Sequence, residues 1–239
     1  LLKCIAVASA NDACVAMAEY ISGSEGDFVK LMNARAEELG MTNTHFVNCC
    51  GLDAEEHLTT ARDVALMSRE LLRNHPQIHE YCTIWMENIT HQTARGSFEF
   101  GLTNTNKLIR QYEYATGLKT GYTSVAGFCV SASAKKENIE LVAVIMGGTD
   151  SKSRFQDAVT LLNSGFACCS LYTDENRAAL PKIPVKGGVE GQVGLQYADE
   201  FSYVSTDGSN LSQVERVPKL PEEVTAPVEK GDRIGSMVY

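Results

Sequence analysis

The stretch YATGLKTGYTSVAGFCVSASAKKENIELVAVIM, residues 114–146, decides the fold. Its segments 114–122, 128–134 and 139–146 are rich in apolar, aromatic and β-branched residues, which predicts three strands. The polar turn Lys135-Lys136-Glu137-Asn138 lies between the second and third segments and predicts an antiparallel hairpin. The three segments are close together in sequence, so we expect neighbouring strands of one antiparallel sheet.

Helices are predicted before and after these strands. Two pairs of a hydroxyl residue followed by aspartate predict helix starts: Ser24 with Asp27, and Thr60 with Asp63. A short helix is expected at 12–21, and apolar residues at helical spacing predict a long one from near Ser151. The combination predicts an α+β fold, an antiparallel sheet flanked by helices.

The C-terminal part of the chain has a different character. Helical periodicity ends near Tyr172, and the short apolar runs beyond it are separated by prolines: Pro181, Pro184, Pro218, Pro221 and Pro227. We therefore predict a main domain at 1–172 and a small β-rich C-terminal domain at 181–239. The first is expected to be truncated at its N-terminus and the second at its C-terminus.

Composition and charge exclude several classes of protein. Of the 239 residues, 44% are hydrophobic and 21% charged, as in an ordinary globular protein. The formal net charge of −9 argues against nucleic acid as a partner and against a basic membrane-binding face. No apolar run approaches the ~18 residues of a membrane span, and no signal peptide is expected at the N-terminus.

Cysteine is frequent in this chain. The eight cysteines are Cys4, Cys14, Cys49, Cys50, Cys82, Cys129, Cys168 and Cys169. None forms a C-x-x-C motif, and no Cys/His cluster has zinc spacing, so neither a metal site nor a cofactor is expected. The thiols are interpreted as small buried hydrophobes. Cys14 lies one helical turn after Asn11, so its thiol is expected near any cleft that Asn11 lines.

Two short motifs indicate acyl-transfer chemistry. Lys119-Thr120-Gly121 follows Ser9-Ala10-Asn11 by 110 residues (119 − 9). Enzymes with a Ser-X-X-Lys nucleophile carry Ser-X-Asn and Lys-Thr-Gly in this order. Attack of a serine on an amide requires a path for the proton and groups that bind the substrate. The hydroxyl of Ser9, the amide of Asn11 and the charge of Lys119 can supply them.

The order of the three motifs places the Ser-X-X-Lys nucleophile ahead of Ser9, and this sequence has no such motif there. Ser133-Ala134-Lys135-Lys136 fits Ser-X-X-Lys, but it ends a predicted strand, whereas the motif needs both residues one turn apart on a helix. Glu70 to Asn74 fits a hydrolytic-water loop but closes a predicted helix. The five histidines have no paired aspartate, so a Ser-His-Asp triad has no support. This chain alone is expected not to be acylated.

The chain resembles a known family over its whole length. The segments that carry the resemblance are Ser9 to Ala13, Asn48 to Asp53, Thr59 to Asp63, Asn104 to Leu108, Gly117 to Thr123 and Gly127 to Ser133. They are similar to D-alanyl-D-alanine carboxypeptidases, the low-molecular-mass penicillin-binding proteins of the serine peptidase type. The resemblance implies the penicillin-recognising fold shared by transpeptidases and β-lactamases.

The resemblance also implies an activity and a place in the cell. Such enzymes remove the terminal D-alanine from peptidoglycan stem peptides ending in D-Ala-D-Ala, through an acyl-enzyme, and are inhibited by β-lactam antibiotics. The implied location is the extracytoplasmic cell envelope, with membrane attachment through a C-terminal amphipathic helix that this chain lacks.

Residue roles follow from the same resemblance. Ser9, Asn11 and Lys119 would be catalytic. Substrate binding would fall to the following residues: Thr120, Gly121, Tyr122, Arg154 and Arg95. The N–H of Tyr122 would form half of the oxyanion hole, and Arg154 would help to hold the substrate's terminal carboxylate. Arg95 lies in a loop where the family often has a substrate-side arginine.

Two alternative functions stay open. A β-lactamase of the same fold is disfavoured by the extra β-rich domain and by the lack of a suitably placed glutamate loop. A non-catalytic peptidoglycan-binding protein would explain the missing nucleophile. Acylation by a β-lactam separates these functions. A long-lived adduct indicates a carboxypeptidase, rapid turnover a β-lactamase, and no adduct a non-catalytic binding protein.

Overall fold

The three strands expected in residues 114–146 form one antiparallel sheet. In the computed structural model, which describes residues 1–175 and 177–239, the strands are β3 (Ala115–Thr123), β4 (Gly127–Lys136) and β5 (Ile139–Gly148). They lie in the order β3-β4-β5, so β3 is an edge strand of this sheet. The turn between β4 and β5 places Glu137 at φ 54°, a left-handed conformation that tight turns require.

The described part of the chain contains seven α-helices. They are α1 (Leu2–Ala8), α2 (Asn11–Ser22), α3 (Glu25–Glu38), α4 (Ala61–Asn74), α5 (Ile78–Cys82), α6 (Leu108–Gln111) and α7 (Ser153–Cys168). Both predicted caps are confirmed, because Ser24 and Thr60 accept a hydrogen bond from the backbone N–H of Asp27 and Asp63. The long helix expected from near Ser151 is α7, and Asp150 Oδ1 accepts from the N–H groups of Lys152 and Ser153 at its start.

A β-hairpin between α5 and α6 was not predicted. It consists of β1 (Met86–Thr93) and β2 (Gly96–Thr103), which pair along their whole length. Most of its side chains are exposed on both faces, including Phe98 and Phe100. Because neither face is buried, the sequence lacks the alternation of apolar and polar residues by which a strand is recognised.

Two apolar clusters hold the helices to the central sheet. The first joins α7 to β4 and β5 and consists of Leu108, Val130, Ala132, Ala134, Ala143, Phe155, Ala158 and Leu162. The second packs α1, α4 and α5 around Leu118 of β3 and consists of Ala6, Leu72, Cys82 and Leu118. The predicted α+β architecture, a sheet flanked by helices, is confirmed.

The chain divides into two compact units, Leu1–Phe166 and Ala167–Tyr239. The second contains short strands: β6 (Ser170–Thr173), β7 (Ile183–Lys186), β8 (Gln192–Val193), β9 (Ser202–Ser205), β10 (Val217–Lys219), β11 (Val224–Thr225) and β12 (Ser236–Val238). β6 pairs with β9, so residues 170–172, which were predicted as part of the first domain, lie in the second unit. In the described residues no helix has the length and hydrophobicity needed to cross a bilayer.

Candidate active site

Ser9 lies at the junction between two helices. It ends α1 in a left-handed conformation, φ 58° and ψ 41°, and the N–H of Ala10 donates to the carbonyl of Cys4 over 3.1 Å. A non-glycine residue in this conformation costs roughly 1–2 kcal/mol, so the surrounding helices must hold it in place. Asn11 is the first residue of α2 and is exposed. The Ser-X-Asn motif therefore presents both polar side chains at one helix junction.

Lys119 of β3 contacts Ser9 directly. Its Nζ donates to Ser9 Oγ over 2.7 Å and to the carbonyl of Thr120 over 2.9 Å. The structure thus joins two motifs separated by 110 residues in the sequence. In this chain their side chains meet without an intervening element.

The ammonium group of Lys119 is destabilised by its surroundings. Burial lowers the pKa of Lys119 from the ordinary lysine value of 10.5 to about 8, and the charge of Arg154 acts in the same direction. The thiols of Cys14 and Cys82 oppose this shift. A pKa of about 8 allows the amine both to accept and to release a proton near neutral pH.

Thr120 is almost fully buried, at 7% exposure, and its hydroxyl donates to Thr105 Oγ1 over 2.7 Å. The segment before α6 fixes Thr105. The buried amide of Asn104 donates to the carbonyls of Cys82 and Ile84, and its Oδ1 accepts from the N–H of Asn106. Thr105 was not among the predicted site residues, although Asn104 to Leu108 was one of the segments that carried the family resemblance.

Arg154 lies at the start of α7 and contacts the backbone of the central sheet. Its Nη1 donates to the carbonyls of Gly121 (2.9 Å) and Cys129 (3.0 Å), which are paired across β3 and β4. Cys129 lies in a register shift between β4 and β5, so its carbonyl needs a partner outside the ladder. The guanidinium also lies over the Phe128 ring, 5.4 Å from its centroid. Arg154 therefore holds the end of β3 that carries the Lys-Thr-Gly motif.

The Nε atom of Arg154 is relevant to the predicted contact between this residue and the substrate. The side chain is buried at 6% exposure, and within residues 1–175 and 177–239 its Nε has no hydrogen-bond partner. Burial lowers the pKa of this guanidinium, which nevertheless stays protonated near neutral pH because arginine is not deprotonated in proteins. A buried N–H of a charged group without a partner favours an anionic ligand or water at this place.

Gly121 and Tyr122 lie at the exposed end of β3. The Tyr122 side chain is 60% exposed and packs on Phe128, with the ring centroids 4.3 Å apart. Thr123, the last residue of β3, donates to Asp53 Oδ1 over 2.7 Å. This bond ties the motif strand to the loop around residues 48–53, a connection that sequence spacing did not reveal.

Arg95 occupies the turn between β1 and β2. It is exposed, and its backbone N–H donates to Thr93 Oγ1 over 3.2 Å. The bonds recorded for Arg95 lie within this turn, and they connect it to none of the motif residues. Its predicted role at the substrate stays a prediction.

A sheet with helices on both faces, and with Ser9 bonded to Lys119 on its edge strand, defines the penicillin-recognising class of acyl-transfer proteins. The chain belongs to the D-alanyl-D-alanine carboxypeptidase family, whose sequence profile matches residues 1–150. The resemblance noted from the sequence is therefore confirmed.

Relatives of known name match the whole chain. It is 38% identical over 239 residues to D-alanyl-D-alanine carboxypeptidase DacF of Bacillus subtilis, covering 100% of this chain and 60% of the relative. It is 39% identical over 244 residues to DacA of Escherichia coli strain K12, covering 100% of this chain and 58% of the relative. The chain thus spans about 60% of the length of these relatives.

Solved structures show the same fold. Penicillin binding protein 5 from Haemophilus influenzae superposes with a TM-score of 0.75 at 30% identity, covering 99% of this chain and 67% of that protein. Penicillin-binding protein D2 from Listeria monocytogenes, solved in a cefotaxime-bound form, superposes with a TM-score of 0.60 at 31% identity. That match covers 69% of this chain and 64% of the other.

Proposed function

We propose that the whole protein is a serine-type D-alanyl-D-alanine carboxypeptidase. It would remove the terminal D-alanine from peptidoglycan stem peptides through an acyl-enzyme and would be inhibited by β-lactams. The observation that carries the proposal is the 2.7 Å hydrogen bond between Lys119 Nζ and Ser9 Oγ. The names of the relatives and the cefotaxime-bound neighbour support it.

Ser9 and Lys119 would form the proton path of the reaction. A serine hydroxyl from a Ser-X-X-Lys segment attacks the carbonyl carbon between the two D-alanines, an ester forms and the C–N bond breaks. The leaving amine must gain a proton. Lys119 can supply it through Ser9 Oγ, since the pKa of about 8 keeps both protonation states populated near neutral pH. Water then hydrolyses the ester.

The edge of β3 would receive the substrate. An edge strand has backbone N–H and C=O groups that pair with no other strand, and an extended peptide can bind to them. Gly121 carries no side chain that would block this approach, and in the described residues no heavy atom beyond its two chain neighbours lies within 4 Å of where its Cβ would be. Asn11 would hold a substrate amide, and the Tyr122 N–H would donate to the oxyanion.

Thr120 and Arg154 would hold the terminal carboxylate. For this, Thr120 must turn its hydroxyl from Thr105 to the ligand, a rotation that leaves Thr105 free to donate back to Thr120. Arg154 contributes charge from beneath the strand, with Nη1 already committed to two carbonyls. Its main effect would be to fix the position of β3 and to attract the carboxylate electrostatically.

The 239-residue chain by itself would not be acylated. Its one Ser-X-X-Lys sequence starts at Ser133, which lies within β4 and is 0% exposed, with Oγ accepting from Thr116. A nucleophile in such a position cannot reach a substrate bound at the edge of β3. We also propose an extracytoplasmic location, with membrane association through a segment outside this chain.

A penicillin-labelling experiment tests this assignment. Fluorescent penicillin is incubated with this chain and with an N-terminally extended form that carries a Ser-X-X-Lys segment, and adducts are mapped by mass spectrometry. A long-lived adduct on the extended form alone is the expected result. Rapid turnover would indicate a β-lactamase, and no adduct on the extended form would indicate a non-catalytic binding protein. An adduct on the short chain, at Ser133 or elsewhere, would contradict the proposed inactivity.

A further inference from the structure

Three side chains with metal-ligating atoms meet beside the candidate active site. Glu25 is the first residue of α3, and Cys49 and Cys50 lie in the loop that follows α3. One carboxylate oxygen and the two sulfur atoms all lie within 4.8 Å of one another, and all three residues are half-buried. We call these residues the thiol–carboxylate cluster. Sequence spacing did not reveal it, because its members are 24 residues apart.

The backbone holds the cluster in place. Asn48 Oδ1 accepts from the N–H groups of Cys50 (3.3 Å), Gly51 (2.7 Å) and Leu52 (3.1 Å). The N–H of Cys49 donates to Glu25 Oε1 over 3.1 Å. Gly51 has φ 80°, a conformation that side chains other than glycine rarely adopt. The loop therefore keeps both thiols next to the carboxylate without a ligand.

Cys14 of α2 shares this environment. Burial and the negative charge of Cys50 raise the pKa of Cys14, and burial together with Glu25 raises the pKa of Cys49 to about 12. Cys50 and Cys14 are further causes of the shift at Cys49. Cys14 thus lies within electrostatic range of the two loop thiols.

We propose that the thiol–carboxylate cluster binds one thiophilic divalent cation of the Zn²⁺ type, with Glu25, Cys49 and Cys50 as ligands and solvent in the fourth position. Tetrahedral zinc has Zn–S bonds of about 2.3 Å, which place its sulfur ligands roughly 3.8 Å apart. Adjustments of about 1 Å are therefore sufficient. Each bound thiol releases its proton to solvent and forms a sulfur–metal bond, with no change of oxidation state.

The chemistry of the cluster favours a cation over a disulfide. A bond between the adjacent Cys49 and Cys50 would be strained, and the carboxylate of Glu25 contributes nothing to a disulfide. A set of thiolates with one carboxylate is a ligand set that zinc accepts. A disulfide from Cys14 to either loop thiol is the competing outcome, and the test below distinguishes it.

The cation would connect the elements around the active site. It would join the first turn of α3 to the loop at 48–53. Asp53 of that loop accepts from Thr123 at the end of β3. A bound cation would therefore stiffen one wall of the cleft, and its presence is independent of whether the protein acts on D-Ala-D-Ala.

Cobalt binding tests the proposal on this chain. The reduced protein is titrated with Co²⁺ without oxygen, and the sulfur-to-cobalt charge-transfer band in the near ultraviolet is followed. The expected result is one equivalent of Co²⁺, displaced by Zn²⁺. Cys49→Ser and Cys50→Ser should each weaken binding about a hundredfold or more, since removal even of supporting groups costs 10–100-fold.

The chain offers a matched control in its second adjacent pair, Cys168 and Cys169. Serine substitutions at that pair should leave cobalt binding unchanged, and circular dichroism verifies that every variant is folded. Zn²⁺ should also raise the Tm of the unchanged chain but not of Cys49→Ser. The proposal is overturned by absence of stoichiometric binding, by binding that survives in the Cys49 and Cys50 variants, or by a non-reducing peptide map that shows Cys14 bonded to Cys49 or Cys50.

Discussion

Replacement of Lys119 by methionine should reveal the energetic cost of burying its ammonium group. Burial lowers the pKa of Lys119 from 10.5 to about 8 in the folded chain. Between these pH values the unfolded chain binds more protons than the folded one, so stability rises with pH across this window. Methionine has a similar apolar stem and no charge, so Lys119→Met lacks this contribution.

The magnitude follows from the two pKa values. The gap between 10.5 and about 8, at about 1.4 kcal/mol for each pH unit, amounts to about 3 kcal/mol. We expect the free energy of unfolding of the unchanged chain, minus that of Lys119→Met, to rise by up to about 3 kcal/mol from pH 7 to pH 10.5. The difference between the two proteins cancels the titration of groups distant from Lys119, whereas the thiols of Cys14 and Cys82 interact with its charge and contribute to the difference.

Urea unfolding, followed by circular dichroism at closely spaced pH values, measures this difference. The matched control is Lys135→Met, which removes an exposed lysine from the end of β4 and should give a much smaller rise. A difference that stays flat for Lys119→Met, or that falls as the pH rises, would refute the reasoning. It would mean that the ammonium is well solvated and that Lys119 has no special role as a proton donor near neutral pH.

Three further substitutions test other parts of the structure. Arg154→Ala should lower the free energy of unfolding in urea by about 2–3 kcal/mol, because the Gly121 and Cys129 carbonyls lose a charged donor. In an extended, active form the same substitution should lower peptide hydrolysis more than β-lactam acylation. Equal losses of the two activities would contradict the binding of the peptide's terminal carboxylate by Arg154. Ser133→Ala should leave penicillin labelling of that form unchanged, since this hydroxyl is fully buried, and any loss of adduct would identify it as a reactive group. Thr60→Ala should cost about 1 kcal/mol of stability through the lost cap of α4, and a change below the error of the urea measurement would show that water replaces the cap.

The predictions that were confirmed concern features with local causes. The caps at Ser24 and Thr60 need only a hydroxyl and the N–H three residues later. The hairpin of β4 and β5 follows from two apolar segments around one polar turn, and the segment of Ser133 is the strand that was predicted there. In each case neighbours in the sequence determine the conformation.

The predictions that were missed depend on surroundings. The β1–β2 hairpin is exposed on both faces, so burial imposes no period on its sequence. The carbonyl of Cys129 requires Arg154 as a partner because β4 and β5 shift register at this residue. The residues of the two strands do not predict this register shift.

The sequence by itself determined the family, the order of the two motifs and the helix and strand content around them, because motif identity, capping and periodicity are properties of adjacent residues. Only the tertiary structure brought Lys119 to within 2.7 Å of Ser9, lowered its pKa by burial, and placed Glu25 against Cys49 and Cys50. Distances and desolvation depend on which surfaces pack together, and a linear order of residues does not contain that information.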